Sequence, residues 1–235
     1  MKSVAWFAVI VLGVAGCAVE PSQEEAESNA SEIVGGTATT GHPAVGALMD
    51  AGGPFCTGTV VAPRVVVTAA HCLEGVQSAA SLGFALGPNA FRPQRILKIA
   101  SAAVHPQYDA RNIRNDIAVL HLAADAPVTP VPLATKAPTV GQSLVFVGYG
   151  VTNGRTQSGF GTKRQVTMKV AQVGASQFAY AEANRNTCSG DSGGPAFATD
   201  ANGNLTVAGV TSYGDAACVQ YGVDTRTDVY AAFVK

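Results

Sequence analysis

Residues 186–195 read NTCSGDSGGP and set Ser192 beside Asp191 and among glycines. Glycines on both sides of a serine remove Cβ atoms and open backbone angles closed to other residues, so the chain can turn sharply and bring its amides close to another molecule. Gly-Asp-Ser-Gly is also ordinary turn chemistry, and the stretch alone does not decide between a turn and a presented nucleophile. Two other polar residues stand in apolar settings. VVVTAAHC carries a β-branched run into His71 beside Cys72, and NDIAVLHL places Asp116 at the head of an apolar run.

These three side chains suit one kind of chemistry. A serine hydroxyl is a weak nucleophile near neutral pH and needs a base to take its proton as it attacks. An imidazole can accept that proton and return it to the leaving group. A buried carboxylate accepting the other ring N–H would fix the tautomer and steady the cation that forms. His42, His105 and His121 lack such neighbours and read as structural histidines.

The elements that must position these groups are strands. The chain has 235 residues, with 26 Gly and 12 Pro and few helix-favouring runs. In KRQVTMKVAQV, Val166, Met168 and Val170 alternate with Thr167, Lys169 and Ala171, the pattern of a strand buried on one face. Short apolar runs recur at 44–49, 57–62, 117–122, 144–148 and 205–211, several too brief for helices. Many strands without interleaved helices argue for antiparallel barrels or a sandwich. AADAPVTPVPLATKAP puts prolines at 127, 130, 132 and 138; missing amide donors favour extended, non-sheet chain, read as the crossing between two halves.

The chain opens MKSVAWFAVIVLGVAGC, an apolar run short for a membrane span and suited to export. Its ending VAGC is similar to the lipobox of bacterial lipoproteins, in which the signal is removed and the cysteine, here Cys17, is acylated. An ordinary secretory signal with an incidental cysteine is the alternative. Export implies an oxidising compartment where thiols pair. With Cys17 acylated, Cys56, Cys72, Cys188 and Cys218 form two bridges; three pairings are possible, and the spacing suggests Cys56 with Cys72 and Cys188 with Cys218. Residues 18–32, AVEPSQEEAESNASE, are acidic and nearly devoid of large apolar groups, so they read as a solvated tether. Residues 1–32 hold one lysine against five glutamates, leaving 14 basic and 11 acidic side chains in the rest. That balance, without a basic cluster, gives no case for nucleic-acid binding.

IVGG at 33, TAAHC at 68, DIAVL at 116, GYG at 148, GDSGGP at 190 and SYG at 212, in that order, resemble a trypsin-like (chymotrypsin-family) serine endopeptidase from residue 33 to the C-terminus. The resemblance implies an all-β fold of two six-stranded antiparallel barrels with the active site in the cleft between them. The expected division is a signal at 1–16, a tether or propeptide at 17–32, and a peptidase domain at 33–235, with the first barrel over about 33–125 and the second over about 135–235. Ser192 would be the nucleophile, His71 the general base and then acid, and Asp116 the orienting carboxylate, with Ser212 bonded nearby. The N–H groups of Gly190 and Ser192 would form the oxyanion hole.

The same resemblance assigns Asp191 as partner of a new α-ammonium at Ile33, made by cutting after Glu32, so that the intact chain is a zymogen. A tether whose single cysteine is Cys17 would then release the domain from its lipid on activation. Because Glu32 is neither Lys nor Arg, a trypsin-type activator is not expected. The specificity pocket would have Asn186 at its floor, Ser212 and Gly214 as the strand that pairs with substrate, and Gly222 in its wall. Asparagine supplies no anion, which favours uncharged substrate side chains, with Asp215 or Asp224 as the groups able to restore a basic preference. No cofactor or metal is expected: the loop LEGVQSAASLGFALG offers one carboxylate, Glu74, too few for calcium. Partners would be a protein or peptide substrate, an activating protease, and a membrane only through the Cys17 lipid, for a monomer released to the periplasm or beyond. Two departures stand out: the first disulfide motif reads CTGT, and the sequence stops at YAAFVK, where the family usually continues as a C-terminal helix. A catalytically silent binding protein and an esterase are the alternative functions.

Overall fold

The computed structural model describes residues 33–234, together with Met1. Expectations for the signal, the acidic tether and Cys17 fall outside the described residues. In chain order the strands are β1 Thr37–Ala38, β2 Val45–Asp50, β3 Gly53–Ala62, β4 Val65–Thr68, β5 Gly83–Leu86, β6 Arg95–Val104 and β7 Ala118–Leu122. After the crossing come β8 Ser143–Gly148, β9 Arg164–Val173, β10 Gln177–Tyr180, β11 Pro195–Thr199, β12 Leu205–Gly214 and β13 Gly222–Arg226; one helical turn, α1 Ala231–Val234, follows.

Two antiparallel barrels result. The first closes in the order β2-β3-β4-β7-β6-β5. The second runs β9-β10-β13-β12-β11-β8 and closes through a β8–β9 pairing, with β1 added at β9. Closure removes the unpaired edges that an open sheet of this size would expose. Residues 33–38, assigned by sequence to the first barrel, lie against the second: Ile33 is buried in its core, Val34 bridges to Asn186, and β1 pairs with β9. The reason is apolar burial, since the Ile33 side chain shares a cluster with Leu144, Phe146 and Met168.

β9 shows how pattern becomes barrel wall. Val166, Met168 and Val170 are buried while Thr167, Lys169 and Ala171 are exposed, as the two-residue period of a strand requires. The proline-rich crossing contributes no strand, yet its free amides are used: Val131 donates to the Val60 carbonyl and Ala134 to that of Val207, tying one barrel to the other. Between the barrels lies a third apolar cluster containing Val45 and Ala85 from one side and Phe197 and Val207 from the other. Tyr149, fully buried, sends its hydroxyl from the loop after β8 to within 2.6 Å of the Gly87 carbonyl and 3.1 Å of that of Val45.

The chain's last described turn returns to the first barrel. Tyr230 and Val234 pack in its core, His105 sits edge-on to Tyr230 and Phe233, and the Tyr230 hydroxyl donates to Asn115 Oδ1 at 2.7 Å. Asn115 immediately precedes Asp116, so the C-terminal crossing braces the approach to the cleft. His42 stacks on Phe197 and bonds Gln165, and His121 is exposed on β7; neither belongs to the site.

Candidate active site

His71 opens a short 3-10 turn, His71–Leu73, just after β4. Two features fix the turn. Ala69 and Ala70 before it are fully buried, and Cys72 within it is bonded to Cys56 on β3. Asp116 lies just ahead of β7 and is fully buried. Its Oδ1 accepts the His71 backbone N–H at 2.9 Å and its Oδ2 stands 2.8 Å from Nδ1. A carboxylate there demands a proton on Nδ1, which leaves the Nε2 lone pair for another proton. Ser212 Oγ, arriving on β12 of the second barrel, donates to the same Oδ2 at 2.5 Å.

Burial alone would push the Asp116 carboxyl upward. The hydrogen bonds and charge of His71, with the Ser212 bond, outweigh it and hold the group below the usual carboxylate range. An ionised carboxylate beside a ring nitrogen favours the imidazolium that forms when the ring takes a proton.

Ser192 enters from the second barrel. Its carbonyl accepts the Thr57 N–H of β3 at 2.8 Å, and Cys72 Sγ lies 3.7 Å from that carbonyl and 3.9 Å from His71 Nε2. One sulfur therefore touches both the loop of the serine and the free edge of the imidazole. Among the described residues the Ser192 hydroxyl has no hydrogen-bond partner, and the Gly190 and Ser192 N–H groups donate to no protein acceptor. Unused amides on a loop with Gly190 at φ +94° are donors open to an oxygen from outside. Only glycine tolerates that angle and place, since a Cβ on Gly190 would stand 2.3 Å from the Phe160 ring.

Asp191 turns the opposite way, into the interior. It is 1% exposed, with Oδ1 accepting the Gly150 N–H at 2.8 Å and Oδ2 that of Cys188 at 2.9 Å. GYG serves this contact, because a Cβ on Gly150 would lie 2.4 Å from Asp191 Oδ2. Burial pushes the Asp191 carboxyl up to about 6, against the pull of the Cys188 and Gly150 amides and the Arg164 charge.

Beside Ser192 is a cavity of about 240 Å³ lined by Thr187, Ser189, Ser212, Gly214 and Asp215, with Cys188 and Cys218 in its wall. Those two cysteines are joined, as are Cys56 and Cys72, so of three possible pairings the structure has the one suggested by spacing. Asn186 and Gly222 stand behind the lining. Asn186 is 1% exposed and donates from Nδ2 to the Tyr221 carbonyl at 3.0 Å, while Gly222 is covered by the Tyr180 ring. Asp215 reaches the cavity, but its carboxylate clasps the amides of Val219, Gln220 and Tyr221. Asp224 is fully buried behind the cavity, near Tyr180 and Thr211.

The donor atoms of Cys56, His71 and Cys72 cluster as a metal site would, but the two sulfurs are bonded to each other and neither is a thiolate. Thr57 is the polar residue that reading the sequence did not single out. Its Oγ1 donates to the Gly190 carbonyl at 2.8 Å, and the departure in CTGT is the signal that could have found it.

Comparison with known proteins agrees with this fold. The Trypsin family profile matches residues 33–234. Trypsin delta of Drosophila erecta is 30% identical over 229 residues, covering 88% of both chains. Trypsin alpha of Drosophila melanogaster is 32% identical over 203 residues, 77% of both chains. Kallikrein-4 of Homo sapiens is 28% identical over 239 residues, 93% of this chain and 88% of its own.

Proposed function

Because the chain belongs to the trypsin family and is a serine endopeptidase, we propose that Ser192, His71 and Asp116 form its catalytic triad and that the protein is made as an exported, lipid-anchored precursor. The observation that carries the triad is the double hold of Asp116 on His71, closed from the other barrel by Ser212. Ser192 Oγ attacks the scissile carbonyl as His71 Nε2 takes its proton, and the carbonyl oxygen, now negative, moves toward the Gly190 and Ser192 amides. Collapse expels the amine, which takes the proton from the imidazolium and leaves an acyl-enzyme. Water, activated by the same imidazole, hydrolyses the ester and restores the serine. The substrate strand lies along Ser212 and Gly214 by sheet pairing. With Asn186 beneath the cavity and the Asp215 carboxylate committed to its own loop, the side chain before the scissile bond is uncharged.

Activation by cleavage before Ile33 is supported by two features. Ile33 has φ 43°, a left-handed angle that is unfavourable for a β-branched residue and that ceases to exist once the preceding peptide bond is cut. Val34 pairs with Asn186, two residues from the Cys188 amide that binds Asp191, which keeps the new terminus close to a fully buried carboxyl. The four domain cysteines are consumed in two disulfides, so Cys17 has no cysteine left to pair with, which favours its acylation in a bacterial envelope. Cleavage then frees the peptidase from its lipid.

The test is N-terminal sequencing of the species labelled by a fluorophosphonate, with Ser192→Ala as control. The expected result is a soluble labelled chain beginning at Ile33. Equal labelling of Ser192→Ala would remove the triad assignment. Full activity in a membrane-bound chain already cut after Glu32 would remove the release step. Hydrolysis of esters without peptides would turn the reading to an esterase.

A further inference from the structure

Thr57 lies on β3 in the first barrel and is fully buried. All three of its polar groups are engaged, in four hydrogen bonds. The backbone N–H donates to the Ser192 carbonyl at 2.8 Å, and the backbone carbonyl accepts the Thr68 hydroxyl at 2.8 Å. Oγ1 donates to the Gly190 carbonyl at 2.8 Å and accepts the Tyr149 N–H at 3.3 Å. One residue of the first barrel thus holds the carbonyls of both second-barrel residues whose amides are open to an oxyanion.

We infer that Thr57 is a positioning residue for the oxyanion hole, its hydroxyl fixing Gly190 in the donor-out orientation before substrate arrives. Gly190, at φ +94°, has the backbone freedom of glycine, and rotation about its Cα would swing its N–H away from the cleft. The Thr57 hydroxyl pins the carbonyl on one side of that Cα, and the Phe160 ring closes the space on the other. Donors held in advance need no reorganisation as charge develops, so the gain appears in the transition state and not in substrate binding. Without the hydroxyl, both the Gly190 carbonyl and the Tyr149 N–H lose a partner, and the loop has reason to turn. The assignment deepens the peptidase reading and rests on it.

Thr57→Val keeps the side-chain shape without the hydroxyl, and Thr57→Ser keeps the hydroxyl. Rates are taken per active site from end-point fluorophosphonate titration, so unfolded protein does not count. For Thr57→Val the expected result is kcat for a peptide amide lower by about tenfold with KM within about twofold, since a donor is loosened and not deleted. Binding of a peptide boronate, which forms a tetrahedral adduct on the serine, should weaken by the same factor. Thr57→Ser should restore both to within about twofold. Thr57→Val turning over like wild type, Thr57→Ser as impaired as Thr57→Val, or a loss confined to KM would each overturn the assignment and leave the peptidase reading standing. Wild-type protein that cleaves no peptide would end both.

Discussion

Asp116 grips His71 at two points, the ring through Oδ2 at 2.8 Å and the backbone N–H through Oδ1 at 2.9 Å. The backbone bond fixes where the histidine stands, and the ring bond fixes which nitrogen carries the proton. Asp116→Asn separates the two. The amide oxygen can keep one contact, but an amide nitrogen facing Nδ1 forces the proton to Nε2, where the imidazole can no longer act as a base. We expect kcat to fall by about 10⁴ near neutral pH with the fold retained. Steady-state kinetics, together with the imidazole proton resonances, check this; a loss under tenfold would mean that the ring bond does not set the tautomer.

Asp191 predicts a pH dependence for the uncut chain. Its carboxyl goes from 3.8 in the unfolded chain to about 6 in the fold, chiefly through burial. Between those values the native state holds the proton more tightly than the unfolded state, so stability falls as pH rises from about 4 to about 6, by about 3 kcal/mol in all. Calorimetry of Ser192→Ala precursor, which cannot cut itself, should show that fall, and Asp191→Asn should lack it. Once the chain is cut and an ammonium pairs with the carboxylate, the slope should vanish or reverse. A cut chain with the precursor's slope would mean that the new ammonium does not reach Asp191.

The sequence made some of this legible and hid the rest for physical reasons. β9 declared itself because one face is core and the other solvent, so Val166, Met168 and Val170 alternate with polar or small residues. β6 did not, because nearly all of its ten residues are exposed or half-exposed and no alternation records its two neighbours. The residues proposed to do chemistry stood out through local context, since a reactive serine needs glycines beside it and a base needs a braced turn. Contacts made across the fold left no such local trace, and Ser212 was expected beside Asp116 only through the family resemblance of SYG. Ser212 meets Asp116 from 96 positions away, and Thr57 meets Gly190 from 133 away, so a threonine in CTGT looks like a strand residue until the second barrel is folded against it. The placement of residues 33–38 was hidden likewise, because Ile33 chooses its barrel by burial and not by order in the chain.

The two disulfides should separate stability from binding. Cys56–Cys72 spans 16 positions and Cys188–Cys218 spans 30, and loops of that size confine the unfolded chain by about 3 kcal/mol each. Replacing either pair by alanine should lower the urea-unfolding free energy by about that amount. Their kinetic signatures should differ. Cys72 sits in the turn of His71, so its loss lowers kcat; Cys188 and Cys218 wall the cavity beside Ser192, so theirs raises KM. Identical kinetic effects from both pairs would show that the bridges act through global stability alone.

Asn186→Asp tests the proposal that Asn186 is the floor of a specificity cavity. Asn186 is buried and donates to the Tyr221 carbonyl at 3.0 Å, with Asp215 Oδ1 at 3.4 Å. An aspartate there cannot donate, and it puts a buried anion near a second carboxylate, a costly arrangement until a cation arrives. The free variant should therefore lose about 1–3 kcal/mol of stability. A substrate lysine or arginine would supply the missing partner, so kcat/KM for basic over uncharged peptides should rise by at least about tenfold, equivalent to about 1.4 kcal/mol of transition-state binding. Benzamidine, an uncleaved cation, should restore stability to the variant and do little for wild type. A peptide-library profile unchanged by the substitution would place the floor at another residue, with Asp224, buried behind Thr211, the next to replace.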